Sequence, residues 1–178
     1  MKIMELDGLD GKSYSVLAVS PPDRLQEAAD GMIGEYTKAG IAGVYVCFNK
    51  PQKAVKELLE KRGVDTSKVF FIDCITASLG EAENEKNVIH IQSPSDLTSL
   101  SIAINEFLEK VPGEKFLLID ALATLLIYNT EALVIKFVKS MVEETSRYGL
   151  KTVMLTPEAR GGDLVNRISL YFDKVLRV

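Results

Sequence analysis

With 178 residues, 47% of them apolar and 26% charged, the chain has the make-up of one globular domain with its own core, which excludes a disordered or fibrous polypeptide. A net charge of −4 weighs against a nucleic-acid backbone as main partner, because that binding is driven by clustered Lys and Arg. No apolar run approaches the roughly 20 residues that span a bilayer, and the opening MKIMELDGLDGK lacks a signal-peptide core, so the expectation is a cytoplasmic protein with no membrane partner.

The pattern alternates strand and helix. Ser15–Val19 reads as a first core strand, ended by Pro21-Pro22, and Pro22 is suited to open the next helix. Leu25, Ala28, Ala29, Met32, Ile33 and Tyr36 recur at helical spacing, and Gly40 closes that helix. Gly43–Phe48 is a second strand. Asn49-Lys50-Pro51 turns into a helix with Val55, Leu58 and Leu59 on one face, stopped by Gly63. Val69–Ile72 is a third strand ending at Asp73, followed by a polar, acidic loop over 77–86 and a short edge strand at Val88–Ile91. Ser93-Pro94-Ser95-Asp96 offers an N-cap to a helix with Leu97, Leu100, Ile104, Phe107 and Leu108 facing inward.

Lys115–Asp120, KFLLID, is the organising stretch. Its four apolar residues, Phe116 to Ile119, run without a polar break, as in a strand buried on both faces of a parallel sheet. The acid that ends it sits where α/β sheets gather their ligands. ALATLLIYN follows, read either as a buried helical turn or as a protein contact. Thr130 then caps a long helix to about Arg147, with Val134, Phe137, Val138, Met141 and Val142 as its buried stripe, and Gly149 stops it. Thr152–Leu155 is another buried strand, ending at Thr156-Pro157. Glu158–Asp163 reads as a mobile loop in which Arg160 is free to reach a ligand or neighbouring subunit, or is simply solvated. Leu164–Tyr171 is a short helix or extended segment, and Val175–Val178 is a last strand. The whole, 1–178, is expected to be a single α/β domain with a mostly parallel central sheet and helices on both faces.

The two cysteines, Cys47 and Cys74, end apolar runs and read as buried, reduced thiols. One histidine, His90, on a strand-like run, leaves too few ligands for zinc and is given no catalytic role.

This order of pieces resembles a RecA-type ATPase core, and more closely its KaiC-like branch. GKSYSVLAVSPPDRLQEA is similar to the strand and P-loop region, KFLLIDALATLL to the Walker B strand and the stretch after it, and KTVMLTPE with YFDKVLRV to the last strands. The resemblance implies nucleotide chemistry, with Asp120 as a magnesium ligand, and assembly through subunit faces or docking onto a protein partner.

The departures from that pattern are chemical. A P-loop needs glycines to wrap phosphate with backbone N–H groups, a Lys for the outer phosphates and a Ser or Thr for magnesium. The corresponding stretch, Ser20–Glu27, reads SPPDRLQE, with Gln26 near the Lys position and Glu27 near the Ser/Thr position. Asp23 and Glu27 put negative charge where phosphates would sit, and Arg24 offsets this only by turning inward. Where the family often carries the acid that prepares the attacking water, this chain has Asn49-Lys50. Lys50 and Lys53 read as the exposed start of a helix or as contacts to an anion. The expectation is therefore a non-catalytic RecA-like domain with a regulatory, signalling or protein-interaction role and no resident cofactor. One alternative is a protein that binds ATP without efficient hydrolysis, its vestigial cleft formed by Asp120, Thr124, Thr156 and Arg24. Another is a magnesium-dependent enzyme built on Asp73 and Asp120, which otherwise read as two separate strand-end acids.

Overall fold

A computed structural model describes residues 9, 11, 13–158 and 162–178. Arg160 lies outside the described residues. Seven strands form one sheet: β1 (Tyr14–Ser20), β2 (Ala42–Cys47), β3 (Val69–Asp73), β4 (Val88–His90), β5 (Lys115–Asp120), β6 (Leu150–Pro157) and β7 (Lys174–Arg177). Their spatial order is β4-β3-β2-β5-β6-β1-β7, and every pairing is parallel. Among the described residues, six helices connect them: α1 (Leu25–Lys38), α2 (Gln52–Lys61), α3 (Leu97–Lys110), α4 (Leu122–Tyr128), α5 (Glu131–Tyr148) and α6 (Gly162–Ile168).

The connections split into two groups. From β1 through β2 and β3 to β4, the chain steps toward one edge of the sheet. From β4 through β5 and β6 to β7, it steps back toward the other. Right-handed crossovers therefore put α1 and α2 on one face and α3 to α6 on the opposite face. Each face has its own core. Val16, Ala18, Tyr45, Phe116, Leu118 and Leu155 pack under α1 and α2. Leu17, Val46, Leu117, Ile119 and Met154 pack under α3, α5 and α6. Strand alternation separates the two sets, which is why β1 and β5 are buried at every position.

Several local readings change in the structure. Pro22 does not open α1. Pro21–Arg24 form a tight turn in which the Arg24 N–H donates to the Pro21 carbonyl at 3.0 Å, and the helix starts at Leu25. Asp96 does cap α3, accepting from the Ser99 N–H at 3.0 Å. Thr130 occupies the N-cap position of α5, but its side chain makes no capping hydrogen bond. The segment after Asp73 begins with a 3-10 turn, Thr76–Leu79, before it becomes a loop. ALATLLIYN contains the helix α4, as the first reading expects, with Leu122 and Leu125 buried and Ile127 69% exposed. Among the described residues, no helix is long and apolar enough to cross a membrane. Cys47 and Cys74 are both free and buried.

Candidate functional site

The site follows from topology. The chain leaves β2 toward the α1–α2 face and leaves β5 toward the α3–α6 face, so a crevice opens between the carboxyl ends of these neighbouring strands. Crevices at such switch points are where open α/β sheets take ligands. Here the crevice is bridged. The Phe48 N–H donates to the Asp120 carbonyl at 3.0 Å. Above it, the Thr124 hydroxyl on α4 donates to Asn49 Oδ1 on the β2–α2 turn. Beside this bridge lies a cavity of about 360 Å³, walled by Pro22, Leu25, Ala123, Ile127 and Pro157.

Asp120 lies beneath, pointing to the α1–α2 face with Leu118 and Phe116. It is 8% exposed. Its Oδ2 accepts from the Tyr45 hydroxyl at 2.7 Å, whereas Oδ1 is buried with no hydrogen-bond partner. Burial raises its pKa above the ordinary carboxylate value, and the Tyr45 hydrogen bond and Lys50 only partly oppose this. The Asp120–Ala121 peptide is cis.

A polar chain joins α1 to the β2–α2 turn and the end of α2. Gln26 donates through Nε2 to Asp30 Oδ1 at 2.8 Å and accepts from Lys50 Nζ at 3.1 Å. Asp30, 4% exposed, meets Arg62 Nη1 at 2.5 Å. Burial pushes the Asp30 carboxyl up, against the pull of Gln26 and Arg62. Lys50 is thus tied into a chain linking the β2–α2 turn, α1 and α2. Lys53 pairs with Glu83 at 3.2 Å and Glu85 at 3.3 Å. Arg24 does not turn inward: it is more than half exposed, 4.0 Å from Glu27 on the helix surface.

Asp73 is in register with Cys47 on one side of β2 as Asp120 is on the other, so the two acids stand two strand spacings apart, roughly 9–10 Å between backbones. Asp73 is spent on its own surroundings. Oδ2 accepts from the Gln52 N–H at 2.7 Å and the Thr76 hydroxyl at 2.6 Å, and Oδ1 from the N–H groups of Ile75 at 2.8 Å and Thr76 at 2.9 Å. Thr156 is fully buried and its hydroxyl has no partner. It falls on the same side of β6 as Met154, the face opposite Asp120. Of the residues singled out in the sequence, Thr124 and Asn49 meet at the crevice. Asp120 lies below them, while Arg24 and Thr156 do not converge on it.

The fit to a magnesium nucleotide is poor. A cradle needs several backbone N–H groups. Of the four residues in the β1–α1 turn, two are prolines without an N–H, and the Arg24 N–H is already bonded within the turn.

Tyr45, Asp30 and Arg62 were not singled out in the sequence. Asp30 had a readable signal, an acid inside the apolar stripe Leu25, Ala28, Ala29, Met32, Ile33. Tyr45 had none, because its partner is 75 residues away.

Asp120 gives a sign-defined prediction. Its folded pKa is raised, so its ionisation in the folded state works against stability. That penalty builds as pH rises from the unfolded value, about 3.9, through the folded pKa. Asp120→Asn, which cannot ionise, should therefore gain stability relative to the parent as pH rises from about 4 to 8. Paired thermal melts across that range check it.

Together, the all-parallel sheet and the helices on both faces give an α/β domain whose architecture matches a RecA-like fold. Over 94% of its length, the chain superposes with a TM-score of 0.66 on 71% of the KaiC-like protein PH0186 from the hyperthermophilic archaeon Pyrococcus horikoshii OT3, at 14% sequence identity. Residues 14–178 match the family of unknown function DUF7504, and the chain belongs to that family. No curated protein matches it in sequence.

Proposed function

We propose that this chain is a RecA/KaiC-like domain that has given up ATP turnover and serves a regulatory, signalling or protein-interaction role. The observation that carries this reading is the Pro21–Arg24 turn. It replaces a phosphate cradle with two prolines, and Gln26 and Glu27 stand at the positions that would need Lys and Ser or Thr. The exposed acids Asp23 and Glu27 flank the same turn. Two like charges about 4 Å apart repel by about 1 kcal/mol in water and several times that in a cleft, so phosphates would meet an opposing field. Interaction with a protein partner, or self-association, is what the resemblance to assembling ATPases implies.

A second reading, nucleotide binding without hydrolysis, is favoured by one observation: the unpartnered Asp120 Oδ1 beneath the cavity. Melting in the presence of nucleotide separates the two. A ligand at one hundred times its Kd adds about 2.7 kcal/mol of stability. The proposed reading expects no rise in melting temperature at millimolar ATP with magnesium, and no phosphate release. A rise that Asp120→Ala abolishes would replace it with the second reading.

A further inference from the structure

We infer that the cavity at the β2/β5 crevice is a binding site for an uncharged ligand with an apolar body and an amide-type edge, such as a primary amide or a lactam. This rests on the reading that phosphate chemistry has left the crevice. None of the side chains lining the cavity is ionisable. Most of the wall is proline, alanine, leucine and isoleucine, which favours an apolar ligand body. The charges nearby are mixed: Asp120 is buried below, Lys50 follows Asn49 in the chain, and Glu27 on the neighbouring helix lies 4.0 Å from Arg24. With no cation in the wall itself, an anion finds no partner there.

The polar part of the wall supplies the specificity. Thr124 spends its O–H on Asn49 Oδ1. That leaves the lone pairs of the Thr124 hydroxyl as acceptors. It also leaves the Asn49 Nδ2 amide as a donor with no hydrogen bond to any described residue. A donor and an acceptor side by side match an amide edge, whose carbonyl accepts from Asn49 and whose N–H donates to Thr124. The bridge also fixes both side chains before a ligand arrives, which lowers the entropy lost on binding.

The test is a ¹H–¹⁵N NMR titration of the full chain with benzamide, benzoate and magnesium ATP in separate arms. Benzamide and benzoate have nearly the same shape and differ in charge and in the amide edge. The expected result is saturable shifts at the Asn49 side-chain amide and at Ala121–Thr124 with millimolar benzamide, and none with benzoate. Asn49→Ala, a change at an exposed turn, should weaken benzamide about three- to tenfold, the worth of one neutral hydrogen bond. Ala123→Leu, which fills the cavity, should abolish the response. No benzamide response, an equal response to benzoate, or full benzamide affinity in Asn49→Ala would overturn the inference. The ATP arm tests the reading beneath it separately. Silence in both the ATP and benzamide arms sinks the amide site alone, whereas shifts with ATP sink the loss of nucleotide binding.

Discussion

Asp73→Ala should destabilise the protein by about 1–3 kcal/mol, the range for leaving a buried donor without its acceptor. The carboxylate is fully buried and accepts from the Gln52, Ile75 and Thr76 N–H groups and the Thr76 hydroxyl. It pins the start of α2 and the turn after β3 at once. Removing it leaves these donors without their acceptor, and each buried orphan costs about 1–3 kcal/mol. Asp73→Asn should fare little better, because its amide would point hydrogens at donors. The pH dependence has a definite sign. Burial pushes the Asp73 pKa up, but the bonds from Gln52, Thr76 and Ile75 together outweigh it and hold the carboxyl below its ordinary value. Its contribution is therefore present above the unfolded pKa, about 3.9, and is lost as pH falls through the folded one. Urea denaturation at pH 7 should show the full deficit. The gap to the parent should narrow below about pH 4. A deficit under 1 kcal/mol at pH 7 would contradict this account of the turn.

The other large effect is expected at Gly43. A Cβ there would lie 2.3 Å from the ring of Phe116, on the neighbouring strand β5. That ring cannot move aside freely: it is fully buried and stacks on Tyr36 at 5.1 Å between centroids. Gly43→Ala should therefore cost about 3 kcal/mol by overpacking. Shortening the ring should relieve part of it. The double variant Gly43→Ala/Phe116→Leu should be more stable than the sum of the two single effects by about 0.5–3 kcal/mol. Additive losses would mean that the two positions do not compete for the same space.

The contrast between these two positions shows what the sequence makes visible. Unbroken apolar runs such as Phe116–Ile119 announce strands buried on both faces, and the helical stripe of Val134, Phe137, Val138 and Met141 announces α5. Both sit where periodicity puts them. Asp120 is legible as an acid at a strand end, since a polar break in an apolar run is a local signal. Contacts between distant segments are not. Tyr45 with Asp120, Asn49 with Thr124 and Asp30 with Arg62 depend on strand order, and strand order is decided by how crossovers pack. For the same reason, the sequence shows two strand-end acids in Asp73 and Asp120, but not that β2 separates them. Nor does it show that Asp73 is fully engaged by its own turn. Glycine 43 carries no special backbone angle, and its role appears only once Phe116 is seen beside it.

The site has the same division. The composition of SPPDRLQE is local, and its lack of a phosphate cradle can be read from the residues themselves. The contacts around it are tertiary: the Lys50–Gln26–Asp30–Arg62 chain to one side, and the Asn49–Thr124 bridge across the crevice.

The most direct test of the central claim is calorimetric titration of the protein with ATP, ADP and GTP, each with and without magnesium. The account predicts no binding heat with any of the six combinations at millimolar nucleotide. Micromolar binding that requires magnesium and weakens in Asp120→Ala would contradict it, because the nucleotide site would then survive on a remodelled Pro21–Arg24 turn.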